Sequence, residues 1–221
     1  MTSLLAQQLS VPLLSDVGRH APYPFLLVLN EQGCSLLQGK QRIAVDFVAS
    51  ASRHRHLHGG GRSLRLRAII KSGNIIPSVL DATAGLGGDA FVLATLSCRV
   101  QLCERSPVAH ALLHDGIARA NRCEEQSLRE IVARMHLLVV DSKQHMQNLL
   151  TDNSSAEKPD VVFGSMFPEK RKEMQRLKRD GGISHSVGAD EDADALLPLA
   201  LQVAQRRVVV DTPAMRRCWR E

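Results

Sequence analysis

The chain of 221 residues is 44% hydrophobic and 23% charged, proportions that exclude wholesale disorder and fibrous architectures and allow one domain, or one domain with an appendage. Aromatic residues make up only 3%, too few for a broad surface of stacked rings of the kind that grips single-stranded nucleic acid. The net charge of +5 is unevenly placed: between Asp46 and Asp81 there is no carboxylate, while Arg53, Arg55, Arg62, Arg65, Arg67 and Lys71 are all cationic, a local bias towards polyanionic partners.

Cys34, Cys98, Cys103, Cys123 and Cys218 are scattered and form no CxxC pair, so free thiols in a reducing cytoplasm are expected. Pro12, Asp16, Pro22 and Pro24 interrupt the apolar N-terminal stretch, which argues against a signal peptide. No run approaches the ~20 apolar residues that span a bilayer. His54, His56 and His58 alternate without an acidic or Cys neighbour, so no metal site is expected.

In chain order, Phe25 to Leu29 and Ile43 to Phe47 read as strands on either side of a Glu31-Gln32-Gly33 turn signal, a small N-terminal β layer. A basic loop with Gly59-Gly60-Gly61 follows, then a short helix over Ser63 to Ile70, ended by Gly73 and Pro77. From there the pattern alternates: strand Val79 to Ala82, helix Leu86 to Leu96, strand Val100 to Cys103, helix Pro107 to Ala120, strand Leu137 to Val140. Strands at Val161 to Phe163 and Arg207 to Val210 extend the series, separated by helices near Glu169 to Lys178 and Asp192 to Val203. Thr151 to Lys158 reads as a solvated loop. The rhythm predicts an α/β fold, a doubly wound, mostly parallel sheet over 77–221, with 1–76 as a β-containing appendage and basic loop. Ligands in such sheets bind beyond the carboxyl ends of the strands.

The residues at those ends are informative. Asp81-Ala82-Thr83-Ala84-Gly85-Leu86-Gly87-Gly88-Asp89-Ala90 follows the first strand of the alternation, and glycines at a strand-to-helix turn let a ligand approach the backbone closely. In a dinucleotide site Gly85, Gly87 and Ala90 match G-x-G-x-x-A, with Glu104 available for a ribose diol. In an S-adenosylmethionine site Asp81 and Asp89 face an ammonium group, and a carboxylate ahead of the glycines suits a cation better than a pyrophosphate. Glu104 suits either nucleoside. Ser106 and Pro107 have the form of a helix N-cap and first helical residue. Asp141-Ser142 can hydrogen-bond an adenine amino group or simply cap a helix. Gly164-Ser165-Met166-Phe167-Pro168, after the fourth strand, is where substrate is expected.

These residues resemble the ribosomal RNA small subunit methyltransferase J family, guanine-N2 methyltransferases of bacterial 16S rRNA. The resemblance rests on Val45-Asp46-Phe47-Val48, Arg53-His54-Arg55, Gly59-Gly60-Gly61-Arg62, the run Asp81 to Leu93, Cys98-Arg99-Val100, Glu104-Arg105-Ser106-Pro107-Val108, Asp115-Gly116, Met166-Phe167-Pro168 and Asp192 to Leu197. It implies a Rossmann-like class I methyltransferase sheet and S-adenosylmethionine as cofactor. It places cofactor contacts on Gly88-Asp89, Glu104-Arg105, Asp141-Ser142 and Gly164, beside Asp81, Gly85 and Gly87. The implied catalytic loop is Gly164, Ser165, Phe167 and Pro168, and Arg53, Arg55, Arg62 and Arg65 become phosphate contacts to 16S rRNA or the small ribosomal subunit.

Two departures stand out. Family members commonly carry Arg where this chain has Gly88. Their fourth-strand loop reads Leu-Asp-Pro-Met-Phe-Pro, whereas Phe163 here runs into Gly164-Ser165-Met166, one residue shorter and without Asp-Pro. Ser165 Oγ or the carbonyls of Phe163 and Gly164 then remain to orient the guanine amine, with Phe167 to stack on the base, so weaker catalysis or a non-catalytic RNA-binding relative is expected. A nicotinamide oxidoreductase is the alternative from another class, disfavoured because Tyr23 is the only tyrosine and no catalytic Tyr-Lys or His-Asp pair is evident. The chain ends at Glu221, where the family usually continues into a final strand pair, which predicts a poorly protected sheet edge.

Overall fold

The structure is a computed structural model that describes residues 5–7, 9–14, 23–49, 69–70, 76–151, 157–164, 193–210 and 217–219. Strands β1 (Leu26–Asn30), β2 (Gly33–Gln38) and β3 (Gln41–Ile43) form an antiparallel sheet in that order. β2 was not foreseen. Its Gly-Cys-Ser start has low strand propensity, but pairing with β1 from Leu26 opposite Leu37 to Asn30 opposite Gly33 buries Cys34 and Leu36, and packing overrides propensity. The strand expected over Ile43 to Phe47 ends at Ile43; Ala44 to Asp46 are irregular and Phe47 to Ala49 helical, with the Asp46 carboxylate accepting from Ala49 N at 3.0 Å as a cap.

The main sheet has six strands in the order β6-β5-β4-β7-β8-β9. Its members are β4 (Ser78–Asp81), β5 (Arg99–Cys103), β6 (Met135–Leu138), β7 (Val161–Gly164), β8 (Arg207–Val210) and β9 (Arg217–Trp219). All neighbours are parallel except β8 and β9. β9 covers β8, so the exposed edge expected beyond Val210 is paired. The chain runs β4 to β5 to β6, then crosses back to lay β7 on the other side of β4. That reversal is the topological switch point.

Side chains alternate between the two faces of the strands, as a period of two dictates. Val79, Val100, Leu102, Val161, Phe163 and Val209 meet helices α1 (Gly88–Thr95), α2 (Pro107–Asn121) and α3 (Gln126–Val132) in one cluster, which also takes in Cys34, Leu36, Val45 and Phe47. Leu80, Val162, Val208 and Val210 face the other way, against Met146 and Leu149 of α4 (Ser142–Thr151) and Leu196, Ala200 and Val203 of α5 (Ala193–Val203). Helix α3 was also unforeseen, since only Leu128, Ile131 and Val132 carry its apolar face. Helix α1 starts at Gly88, two residues later than expected, because Leu86 and Gly87 belong to the turn. The sixth strand, β6, is shifted back by two residues to Met135. Ile69 and Ile70 are helical; the rest of that expected helix and the whole of the one near Glu169 to Lys178 lie outside the described residues.

Candidate functional site

The carboxyl ends of β4, β5, β6 and β7 bring the acidic and glycine residues of the sequence to one end of the sheet. Asp81 closes β4 and is 2% exposed. Its Oδ1 accepts from Thr83 N at 3.2 Å. Burial pushes this carboxyl up to about 7; the Thr83 amide opposes the shift, and the nearby negative charges of Asp89 and Glu104 reinforce it.

The turn after Asp81 is held by Ala82 N donating to Phe163 O at 2.8 Å, Ala84 N to Cys103 O at 3.1 Å and Gly87 N to Ala84 O at 2.8 Å. Gly85 and Gly87 have φ of +55° and +74°. A Cβ on Gly87 would lie 2.6 Å from Leu113 Cδ1 and 3.5 Å from Phe47 Cζ, so this glycine is required by both conformation and space. At Gly85 and Gly88 nothing lies within 4 Å of the Cβ position. The turn therefore rests on packed side chains below and opens a bare backbone cradle above. Gly87 is the N-cap of α1 and no side chain caps that end, leaving amide donors of the first turn for other partners.

Glu104, one residue beyond β5, ties two loops together. Its Oε2 accepts from Gly85 N at 2.8 Å and its Oε1 from Ser106 N at 2.7 Å. Ser106 in turn caps α2, accepting from Ala109 N at 3.4 Å with Pro107 at the first position, as the sequence predicted. Asp141 Oδ1 accepts from Lys143 N at 2.9 Å and Gln144 N at 3.2 Å, so the helix-cap reading of this residue holds. Ser142 beside it is buried. The convergence of these groups registers on Cys103: burial pushes its thiol up to about 12, reinforced by the charges of Asp81, Asp141 and Glu104. Gly164 ends β7, buried and paired with Val210. Arg105 is exposed next to Glu104.

The sheet thus gathers Asp81, Gly85, Gly87, Gly88, Asp89, Glu104, Asp141, Ser142 and Gly164 at one end. Ser165, Phe167 and Pro168, and the expected RNA contacts Arg53, Arg55, Arg62 and Arg65, lie outside the described residues. Among the described residues no group of three or more His, Cys, Asp and Glu is arranged to hold a metal ion, and no helix is long and apolar enough to cross a membrane. Sequence reading gave no role to Phe47 and Leu113, which lie beneath Gly87, nor to Asp115, Gly116 and Arg119, which hold the Cys34 and Val45 segments. The Asp115 to Arg119 spacing, i to i+4 on a helix, was the available signal.

A parallel sheet whose strand order reverses at β4, with carboxylates at the ends of successive strands around a glycine turn, is the Rossmann-like architecture of class I S-adenosylmethionine-dependent methyltransferases, one that nicotinamide enzymes share. A family model described as "Putative SAM-dependent methyltransferase" matches residues 14–220. A protein of Cellvibrio japonicus named ribosomal RNA small subunit methyltransferase J is 41% identical over 221 residues, covering 95% of this chain and 82% of that protein. Its namesake in Saccharophagus degradans is 42% identical over 217 residues, covering 94% and 80%. The crystal structure of a SAM-dependent methyltransferase from Neisseria gonorrhoeae superposes with a TM-score of 0.68 at 30% identity, covering 97% of this chain and 81% of that one. The chain belongs to the ribosomal RNA small subunit methyltransferase J family.

Membership decides between the two cofactor chemistries left open by the glycine spacing, in favour of S-adenosylmethionine over a nicotinamide. The donor set fits that cofactor. A cluster of carboxylates at Asp81, Asp89 and Glu104 suits a ligand bearing cationic groups, and the open cradle at Gly85 and Gly88 admits it without displacing a side chain.

Proposed function

We propose that the chain methylates the exocyclic N2 of a guanine in bacterial 16S rRNA, acting in the cytoplasm on RNA or on the small ribosomal subunit. The observation that carries this reading is the carboxylate-ringed glycine cradle of a chain whose relatives bear the name small subunit rRNA methyltransferase. In this reading Glu104 receives the ribose hydroxyls, Asp81 and Asp89 face the methionine ammonium group, and Asp141 and Ser142 lie at the adenine. Gly85, Gly87, Gly88, Arg105 and Gly164 complete the cofactor contacts. Bound S-adenosylmethionine supplies a methyl group on a sulfonium, a leaving group that departs as a neutral thioether.

The guanine amine is a weak nucleophile because its lone pair is delocalised into the ring, so orientation is the main task left to the protein. Of the acceptors expected from the sequence, the Phe163 carbonyl is taken by Ala82 N within the sheet, which leaves the Gly164 carbonyl and Ser165 Oγ for the amine hydrogens. They would fix the amine in line and stabilise the positive charge that develops on nitrogen before its proton leaves to solvent. In this reading Phe167 stacks on the base and Pro168 belongs to the same catalytic loop. Arg53, Arg55, Arg62 and Arg65 hold phosphates and set the position of the RNA without reading its sequence.

The test is methylation of small subunits isolated from cells lacking this modification, followed by nucleoside mass analysis. N2-methylguanosine appearing at one site supports the reading; a different methylated nucleoside, or none, defeats the assignment. The absence of Asp-Pro before Met166 supports a second reading, a catalytically weak relative that still binds RNA. Inserting Asp-Pro there then raises turnover without raising RNA affinity, whereas an unchanged rate counts against a damaged loop. Binding of S-adenosylhomocysteine should drop by about tenfold or more in Glu104→Gln, since an amide cannot accept from both Gly85 N and Ser106 N, and a lost charge-assisted hydrogen bond costs about 1.5–3 kcal/mol.

A further inference from the structure

The Val45-Asp46-Phe47-Val48 and Asp115-Gly116 motifs have no part in the chemistry above, yet they are joined in space. Val45 and Phe47 are both buried. A Cβ on Gly116 would fall 2.4 Å from Val45 Cγ1, so only a glycine lets α2 approach this segment. Arg119 donates through Nη2 to the Val45 carbonyl. Its Nε meets Asp115 Oδ2 at 2.8 Å, and the same carboxylate oxygen accepts from Cys34 N of β2 at 3.0 Å. One helix thereby clamps both the three-stranded sheet and the chain that leaves it.

Two residues further on, the Phe47 ring stacks on Phe91 of α1, with centroids 4.8 Å apart and planes inclined by 16°. The edge of the same ring stands 3.5 Å from the Cβ position of Gly87, next to Leu113. A continuous line of contact therefore runs from β2 through Asp115, Arg119, Val45 and Phe47 to the underside of the glycine turn. Close-packed groups of this kind transmit displacement, because protein interiors have few voids to absorb it.

We propose that Phe47 is a positioning residue for the cofactor. With Leu113 it forms the floor on which the Gly85 to Gly87 turn rests, and the Asp115–Arg119 clamp holds it there, so that the N-terminal sheet is part of the cofactor site. The inference rests on the S-adenosylmethionine reading of that site.

The experiment is calorimetric titration with S-adenosylhomocysteine, well below the unfolding midpoint of each protein, of wild type, Phe47→Ala, Phe47→Leu, Arg119→Gln and Leu128→Ala. Leu128 is fully buried in α3 within the same core cluster and is not among the atoms nearest the Cβ positions of Gly85, Gly87 and Gly88, so it serves as the control for loss of core packing. Phe47→Ala should weaken binding about tenfold, with Phe47→Leu recovering most of it and Arg119→Gln losing several-fold, while Leu128→Ala lowers the midpoint and leaves affinity unchanged. Wild-type affinity in Phe47→Ala, or an equal loss in Leu128→Ala, overturns the proposal. Should Phe47→Ala fail to fold, Arg119→Gln decides: unchanged affinity there also overturns it. If wild type itself does not bind S-adenosylhomocysteine, the cofactor reading fails, and that result is distinct from a positioning role failing.

Discussion

At Asp81 function and stability pull against each other. The carboxyl is pushed up to about 7 in the folded chain, against an ordinary value of 3.8. The folded state therefore holds this proton more tightly than the unfolded one, and the associated stability is complete below about pH 3.8 and is lost as pH rises from there through 7. His110 and His145 are shifted the other way by burial, and each costs stability as pH falls. The variant Asp81→Asn separates these contributions: between about pH 4 and 7 the unfolding midpoint of the ligand-free wild type should fall relative to that of Asp81→Asn and level off above, and parallel curves would show that Asp81 ionises alike in the folded and unfolded states. A cationic ligand reverses the balance by favouring the ionised form, so ligand-induced stabilisation should be greater in wild type than in the variant. The position and type of Asp81 and Glu104 were legible in the sequence because a strand end followed by glycines is a local pattern. That Glu104 braces Gly85 and Ser106 was not, because those hydrogen bonds depend on how two loops from parallel strands lie side by side.

At the scale of the element, the start of α1 sets two glycine positions of different character side by side. Gly87 has φ of +74° with Leu113 beneath it, whereas Gly88 is exposed with nothing within 4 Å of a Cβ. Gly87→Ala should cost about 1–3 kcal/mol through strain and crowding, a midpoint lower by roughly 2–12 °C for a chain of this size. Gly88→Arg should leave the midpoint nearly unchanged, since nothing lies within 4 Å of the Cβ position and the loss of glycine's backbone freedom offsets the cost of about 0.3–1 kcal/mol for a cation at a helix N-terminus. In the proposed reading of the site a rise in cofactor affinity is expected, because Gly88 is counted among the cofactor contacts and the ligand carries a carboxylate. Thermal unfolding followed by circular dichroism distinguishes the two substitutions, and a destabilising Gly88→Arg would contradict the open space seen there. The sequence reading could not rank these glycines, because the atoms beneath Gly87 come from Leu113 and from Phe47, 26 and 40 residues away along the chain.

For the whole molecule, the parallel sheet needs cover on both faces and at its edges. Helices α1 to α3 and the N-terminal sheet cover one face and α4 and α5 the other, while β9 pairs with Val208 to Val210 on the outer side of β8. Deleting residues 211–221 should leave that valine-rich strand as an open edge. Concentration-dependent aggregation measured by light scattering is the expected result, and a monomeric, equally stable truncated chain would show that β9 protects nothing.

The sequence alone was enough for strands β4 to β8, helices α1, α2 and α5, the glycine turn, the acidic residues at the strand ends and the cap at Ser106. Each is encoded within a few neighbouring residues, by period, turn chemistry or capping. Tertiary structure decided the rest. β2 exists because β1 and α2 bury a segment of poor strand propensity, and α3 because its short apolar stripe meets α1. The N-terminal region read as an appendage, yet Phe47 lies under the glycine turn, since contacts between residues far apart in the chain are set only when the layers close on one another.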